Sequence, residues 1–299
     1  MIRNRFIAAL FILSLILPVT VKAGQKELEK QLQEAIANKK AQVGIAIIIN
    51  GKDTVTINNN CRYPMMSVFK LHQALAVADY CQKNGISLDT PVYIRQADLK
   101  PDTYSPLRDK YPEGNISLSI KKLLEYTLLL SDNNACDILF AQAGDTKSTD
   151  NYIRSLGLRD FSIKVTEDEM HQNESTCYEN WSTPLETAKL IELLVTKELF
   201  NKESQEFIKR TMISCETGKD RLPLPLMVTN AIIGHKTGTG DRNSKGLLIG
   251  TNDVGFVYLP NRQRYTIAVF IKDSEESEKA TSEIIADISR IVYQYMGCI

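Results

Sequence analysis

Patterns of metal ligands and of redox thiols are missing from this sequence. Its 299 residues contain only three histidines, His72, His171 and His235, which lie far apart and lack the spacing of metal ligands. Six cysteines are present, but no two of them form a C-x-x-C pair, so neither a zinc site nor a redox dithiol is indicated. We therefore expect no metal and no cofactor.

The pairing of the cysteines stays open at this stage. They are Cys61, Cys81, Cys136, Cys177, Cys215 and Cys298. Cys81 and Cys136 lie inside apolar helical patterns, where a free cysteine behaves as a small buried hydrophobe. The sequence predicts buried free thiols at these two positions.

Basic blocks and stripes are also absent. The chain has 36 basic and 36 acidic residues, with the two signs interspersed. Binding to nucleic acid or to an anionic membrane surface usually shows as a cluster of lysines and arginines. We expect neither partner.

The N-terminal apolar run, from Phe6 to Val19, is too short for a comfortable membrane span. It follows Arg3 and Arg5 and precedes Val21-Lys22-Ala23, which is the pattern of a secretory signal peptide. We predict a signal peptide over residues 1–23, no lipid or membrane anchor, and a soluble, exported, periplasmic chain that begins near Gly24. Removing the peptide leaves 33 basic and 36 acidic residues, a formal charge of −3.

Hydrophobic periodicity gives the organisation of the remaining chain. Residues 26–37 have the spacing of an amphipathic helix, and two β-branched runs around Asn50-Gly51 predict a hairpin. The middle of the chain is mostly helical, with one predicted helix from Ser117 to Leu130 and a predicted capping box at Thr183 to Glu186. Three strands and a closing helix follow Cys215.

This order predicts an α/β (α+β) fold, in which an antiparallel sheet flanked by terminal helices is interrupted by an all-helical subdomain. About 275 residues suit one compact unit with two subdomains and no obligatory partner chain, so we expect a monomer. The predicted boundaries are residues 24–62 and 215–299 for the α/β subdomain and residues 63–214 for the helical subdomain.

Ser67 and Lys70 lie three residues apart at the start of an apolar helical run. Alone, the pair is explained by a helix-capping serine and a solvated lysine. However, the spacing also puts the ammonium one helical turn from the hydroxyl, where a base could activate a serine nucleophile. A serine at the start of a helix also has its own N–H available to a developing oxyanion.

Two further motifs favour the catalytic interpretation. Ser131-Asp132-Asn133 interrupts a predicted helix, and Lys236-Thr237-Gly238 lies on a predicted strand. We expect Ser131 to shuttle a proton to a leaving nitrogen and Asn133 to bind a substrate amide. The strand would present a cation, a hydroxyl and a small residue to an anionic substrate, and the N–H of Thr239 would be the second oxyanion donor.

With these three motifs in this order, the sequence resembles the class A serine β-lactamases. The run "YPMMSVFK…DTYSPLR…SDNNACDILF…GHKTGTGDRN" is similar to that of the cephalosporinase-type subgroup. The resemblance covers essentially the whole mature chain. It implies a two-part fold with the active site between the subdomains, and hydrolysis of the β-lactam amide through a serine acyl-enzyme, with resistance to these antibiotics as the result.

The resemblance also implies a loop glutamate that activates water for deacylation. Glu167 matches the subgroup pattern, and Glu169 matches the broader family pattern; we favour Glu167. This assignment puts His171 where the family usually has an asparagine, and "KVTED" lacks the usual arginine, so the usual loop salt bridge is not expected.

The resemblance also implies substrate contacts at positions of this sequence that match the family. Tyr104 matches an aromatic that borders the substrate, and the substrate carboxylate has two candidate partners, Arg221 and Lys245. We favour Arg221, because a guanidinium binds a carboxylate through two hydrogen bonds. Lys70 and the loop glutamate both remain candidates for the acylation base.

Two other functions use related motifs. A penicillin-binding protein, which is a transpeptidase or carboxypeptidase, would keep its acyl-enzyme, and a β-lactam sensor would bind without turnover. The acidic loop around Glu167 argues against both.

Overall fold

The computed structural model describes residues 17–298, with side chains described for residues 24–297. The predicted signal peptide therefore falls largely outside the described residues. The first helix, α1, is described from Leu17 and continues through the predicted cleavage point to Ile36.

The chain forms ten helices and ten strands within the described range. The helices are α1 (Leu17–Ile36), α2 (Phe69–Lys83), α3 (Pro106–Lys110), α4 (Ile120–Leu129), α5 (Asn133–Ala143), α6 (Thr146–Ser155), α7 (Glu167–Gln172), α8 (Pro184–Thr196), α9 (Lys202–Ile213) and α10 (Glu278–Cys298). The strands are β1 (Gln42–Ile49), β2 (Asp53–Ile57), β3 (Tyr63–Pro64), β4 (Pro91–Ile94), β5 (Ile116–Ser119), β6 (Phe161–Ser162), β7 (Trp181–Ser182), β8 (Ile232–Thr239), β9 (Leu248–Tyr258) and β10 (Arg264–Ser274).

The main sheet has the strand order β2-β1-β10-β9-β8, and all of its pairings are antiparallel. Its strands are apolar on both faces because both faces are covered. Along β1, Ile45, Ile47 and Ile49 pack against α1 and α10, whereas Ala46 and Ile48 face the helical core. This alternation follows from the two-residue period of a strand.

The predicted fold class is therefore confirmed. The sheet has the terminal helices α1 and α10 on one face, and the helices α2 to α9, inserted between β3 and β8, contribute the core on the other. The predicted free, buried thiols at Cys81 and Cys136 are also confirmed.

Two local predictions were wrong. Residues 117–119 are not helical but belong to β5, which pairs with β4, and the Ser119 side chain caps α4 by accepting from the N–H of Lys122. The capping box at Thr183 to Glu186 does not form: the Thr183 side chain makes no cap, and Glu186 accepts a hydrogen bond from the N–H of Arg159.

Candidate active site

Ser67 and Lys70 are in direct contact at the start of α2. Ser67 lies in a 3-10 turn, Met66–Val68, that leads into the helix, so its hydroxyl is not used as a cap. The ammonium of Lys70 is fully buried and lies 3.1 Å from Ser67 Oγ. Two pure acceptors, the Ser131 carbonyl at 2.7 Å and Asn133 Oδ1 at 2.6 Å, hold it in place.

Glu167 completes this cluster from the loop that carries α7. Its Oε1 accepts a hydrogen bond from Ser67 Oγ at 3.1 Å and lies 2.9 Å from Lys70 Nζ. The carboxylate of Asp137, on α5, accepts from the N–H groups of Glu167 at 3.0 Å and Asp168 at 2.8 Å. Burial, followed by the charge of Glu167, raises the pKa of Asp137 to about 7.

Glu169, the other candidate loop glutamate, points away from Ser67. Its carboxylate accepts from the N–H and hydroxyl of Thr166, at 2.8 and 3.1 Å, and so forms a capping box at the start of α7. Its side chain is exposed and does not line the cleft that contains Ser67. The geometry therefore favours Glu167 as the loop glutamate.

The loop that carries α7 is closed by the side-chain amide of Asn180. Asn180 Oδ1 accepts from the N–H groups of Lys164 and Val165, and its Nδ2 donates to the Val165 carbonyl at 2.8 Å. An exposed ion pair, Lys164 to Glu179, lies beside these bonds. His171 is exposed on α7.

Ser131 and Lys236 meet across the cleft. Ser131 has a φ of 60°, which turns its carbonyl toward Lys70, while its Oγ accepts from Lys236 Nζ at 2.9 Å. Lys236 also donates to the Thr237 carbonyl at 2.8 Å. Burial, and then the charge of Lys70, lower the pKa of Lys236 to about 7.

Asp132 fixes the Ser131 turn from behind. It is fully buried, caps α5 through the N–H of Ala135, and accepts further hydrogen bonds from Ser105 Oγ and the N–H of Leu107. The neighbouring Asn133 donates from Nδ2 to Thr103 Oγ1 at 2.7 Å. The motif is thus both the expected helix start and the expected wall of the site.

Strand β8 forms the opposite wall of the cleft. A Cβ at Gly238 would lie 2.4 Å from the Met65 carbonyl, so only glycine lets the strand approach the turn that carries Ser67. Lys236 and Thr237 are buried here, and Thr239 is exposed at the end of the strand.

Neither candidate for the substrate carboxylate reaches the cleft wall. Arg221 is buried behind β8, where it donates to the carbonyls of Gly238 and Asn252 and to Thr239 Oγ1 at 2.8 Å. Its guanidinium therefore faces the cleft only through the Thr239 hydroxyl. Lys245 lies on the exposed β8–β9 loop.

These residues surround a cleft of about 290 Å³. Its walls are Met66, Ser67, Tyr104, Ser131, Asn133, Glu167, Thr217, Thr237 and Thr239. A second cavity of about 300 Å³ shares Met66, Asn133, Glu167 and Thr239 and extends toward His171 on α7. Sequence reasoning missed Thr217 and Asp137, although their nearness to motif residues, as in "CETG" and "SDNNACD", was a usable signal.

Comparison with known proteins agrees with this geometry. Residues 27–296 match the family model described as "Beta-lactamase enzyme family". The chain is 41% identical to a β-lactamase of Bacteroides uniformis over 292 residues, which is 97% of this chain and 98% of that protein. It is also 41% identical to a class A β-lactamase of Bacteroides cellulosilyticus of known structure, with a TM-score of 0.89 over 92% of this chain and 99% of the other.

The chain belongs to the class A β-lactamases. The structure of the extended-spectrum β-lactamase TLA-1 is similar as well, at 40% identity, with a TM-score of 0.89 over 91% of this chain and 99% of that one. Within the described residues of this class A enzyme, no helix is long and apolar enough to cross a membrane.

Proposed function

We propose that this protein hydrolyses the β-lactam amide bond through an acyl-enzyme on Ser67, and that it favours cephalosporins and confers resistance to β-lactams. The observation that carries the proposal is the three-way contact of Ser67 Oγ, Lys70 Nζ and Glu167 Oε1 in the cleft. Membership of the class A β-lactamases supports the reaction, and the likeness to an extended-spectrum enzyme supports the substrate preference.

In acylation, Ser67 Oγ attacks the lactam carbonyl and loses its proton. We assign that proton to Glu167, because the Ser67 hydroxyl already donates to Oε1. Lys70 donates to Ser67 Oγ and stabilises the negative charge that develops on this oxygen as the proton leaves. The N–H groups of Ser67 and Thr239 would bind the oxyanion.

Cleavage of the C–N bond needs a proton on the leaving nitrogen. Ser131 is suited to deliver it, since its Oγ accepts from Lys236 Nζ and so directs its own hydrogen elsewhere. Lys236 replaces the hydrogen that Ser131 gives up and regains a proton from solvent, while Glu167 releases to solvent the proton that it took from Ser67. Glu167, again a carboxylate, then takes a proton from the water that attacks the ester, and this proton passes to Ser67 Oγ as the ester bond breaks.

We assign substrate binding to the residues that surround Ser67 in the cleft. Lys236, Thr237 and Thr239 would hold the substrate carboxylate, with Arg221 acting through the Thr239 hydroxyl that it contacts. Asn133 would bind the side-chain amide of the substrate. Tyr104 is exposed at the cleft mouth and would border the substrate.

We further propose export to the periplasm as a monomer. The charged and apolar segments of residues 1–23 support a cleaved signal peptide. The mass of the protein recovered from the periplasm of an expressing bacterium should correspond to a chain that begins near Gly24; a chain with the first 23 residues intact contradicts the proposal.

Turnover of a chromogenic cephalosporin tests the function. The purified protein should hydrolyse many equivalents, and the Ser67→Ala variant should hydrolyse none while still binding the compound. A burst of one equivalent that then stops would identify a penicillin-binding protein instead. Binding without any burst would identify a sensor.

A further inference from the structure

The wall of the cleft that carries Tyr104 is an irregular loop with little packing of its own. It runs from Lys100 to Ser105, directly before α3, and we call it the Tyr104 loop. Pro101, Asp102 and Tyr104 are exposed, so the burial of apolar side chains does not hold the middle of the loop in place. A loop with few buried contacts keeps a single conformation where hydrogen bonds fix its backbone.

Both ends of the Tyr104 loop are attached to the start of α5. The side-chain amide of Asn134 accepts a hydrogen bond from the N–H of Lys100 at 3.0 Å and donates to the carbonyl of the same residue at 3.2 Å. At the other end, the N–H of Asn133 donates to the Tyr104 carbonyl at 3.1 Å. These bonds fix the two ends of the loop but do not reach its middle.

The guanidinium of Arg108, on α3, holds the middle of the loop. Its Nη1 donates to the carbonyls of Lys100, Pro101 and Thr103, at 3.0, 2.6 and 2.6 Å. Its Nε and Nη2 donate to the carboxylate of Asp109, at 3.1 and 2.8 Å, and this contact fixes the plane of the guanidinium. The side chain of Arg108 is only 23% exposed, so water competes little for these hydrogen bonds.

Thr103 connects this loop to the asparagine that would bind the substrate amide. The Thr103 hydroxyl accepts from Asn133 Nδ2 at 2.7 Å, and Asn133 Oδ1 accepts from Lys70 at 2.6 Å. An amide nitrogen carries two hydrogens, so Asn133 keeps one of them for the substrate. Reversing the amide would place Nδ2 against the Lys70 ammonium. The position of Thr103 therefore decides where the remaining hydrogen points.

We propose that Arg108 is a positioning residue for the acylamino side chain of the substrate. Because it fixes the Thr103 carbonyl, it also fixes the Thr103 hydroxyl, which directs the second Nδ2 hydrogen of Asn133 toward the amide carbonyl of that side chain. Without Arg108, the middle of the loop moves and Asn133 loses its orientation, while the catalytic side chains around Ser67 keep theirs. The inference rests on the proposed function for the identity of the substrate, but the hold of Arg108 on the loop does not.

Hydrogen exchange measured without substrate tests the hold on the loop. The N–H groups of Lys100 and Asn133, which connect the loop to α5, should exchange faster in Arg108→Met, because methionine keeps an apolar stem but has no donors. Arg95→Met is the matched control: it removes the same charge nearby, but its guanidinium donates to Asp98, and exchange should stay at the parental rate. Unchanged exchange in Arg108→Met, or equal acceleration in both variants, overturns the proposal.

A pair of substrates tests the role in binding. Cephalothin carries an acylamino side chain, and 7-aminocephalosporanic acid has the same nucleus with a free amine in its place. In Arg108→Met, kcat/KM should fall about fivefold for cephalothin, which corresponds to one hydrogen bond, and should stay unchanged for 7-aminocephalosporanic acid. Thr103→Val should have the same effect, and Arg108→Met should add nothing to it in the double variant.

The outcomes separate this inference from the proposed function. A parent protein that hydrolyses both compounds, with equal losses for the two in Arg108→Met, overturns the inference and leaves the proposed function standing. Additive losses in the double variant would show that Arg108 does not act through Thr103 and would also overturn it. A parent protein that hydrolyses neither compound contradicts the proposed function and the substrate half of this inference, and the exchange experiment still decides whether Arg108 holds the loop.

Discussion

At the residue scale, the two carboxylates of the α7 loop have different surroundings. Glu167 contacts Ser67 and Lys70, whereas Glu169 contacts only the backbone and hydroxyl of Thr166. The same residue type, two positions apart, is therefore assigned to chemistry in one case and to helix capping in the other.

We predict that Glu167→Gln accumulates the acyl-enzyme, because the amide cannot accept a proton from the deacylating water. Acylation is slowed but continues, since Lys70, 3.1 Å from Ser67 Oγ, is the second candidate base for that step. The turnover number should fall about a thousandfold, and mass spectrometry should detect the protein with one covalently bound substrate. Glu169→Gln is the matched control and should keep its turnover. Accumulation in Glu169→Gln alone would reverse the assignment.

At the element scale, the start of α5 is fixed by Asp132, whose hydrogen bonds also reach the start of α3. The carboxylate joins α5 to Ser105 and to Leu107 on α3, so the helix start and the cleft wall share one buried group. The start of α6 is capped in the same way by Asp145, which accepts from the N–H of Ser148 at 2.8 Å but is exposed.

We predict that Asp132→Ala lowers the free energy of unfolding by about 3 kcal/mol, because it removes a cap and leaves the buried N–H of Leu107 unpaired. Asp145→Ala removes a cap and an exposed hydrogen bond from the Ser148 hydroxyl, and it should lose about 1 kcal/mol. Urea unfolding of both variants measures the difference. Equal losses would show that the buried hydrogen bonds of Asp132 add nothing to its capping role.

Several short strands could not be predicted from the hydrophobic periodicity of the sequence. Strands β3, β6 and β7 have two residues each, too few to show an alternation, and exist because the segments before α2, α7 and α8 meet there. The predicted helix from Ser117 failed for a similar reason, since only pairing with β4 makes residues 117–119 a strand.

At the scale of the whole molecule, the His235–Asp253 pair joins the edge strand β8 to its neighbour β9. The hydrogen bond from the N–H of Leu222 to Asp253 attaches the loop before β8 to the same pair. The pKa of His235 is raised from 6.5 to about 10. A group with a raised pKa in the folded state stabilises it fully below its unfolded pKa and loses that contribution as the pH rises.

We therefore predict that the stability gained from His235 is complete below pH 6.5 and disappears as the pH approaches 10. Lys236 acts in the opposite direction, because its pKa is lowered to about 7 and its contribution improves with rising pH. The test is the difference in unfolding free energy between the parent protein and His235→Gln, measured across this range. A difference that does not shrink with rising pH contradicts the prediction.

The sequence by itself determined the fold class and most of the chemistry. Runs of β-branched residues bounded by turn residues predicted the sheet strands, and the three-residue spacing of Ser67 and Lys70 put both on one face of the start of α2. Both are local properties of the backbone, so a single chain carries them without reference to its neighbours.

Only the tertiary structure decided which loop glutamate faces the serine. Side chains two positions apart on a helix point about 200° apart, so the docking of α7 on Asp137 brings Glu167 to Ser67 and turns Glu169 away. The same holds for Thr217 and Arg221, which are distant in sequence from the residues they contact on β8. Their roles depend on which surfaces pack together, a property of the folded core and not of any one segment.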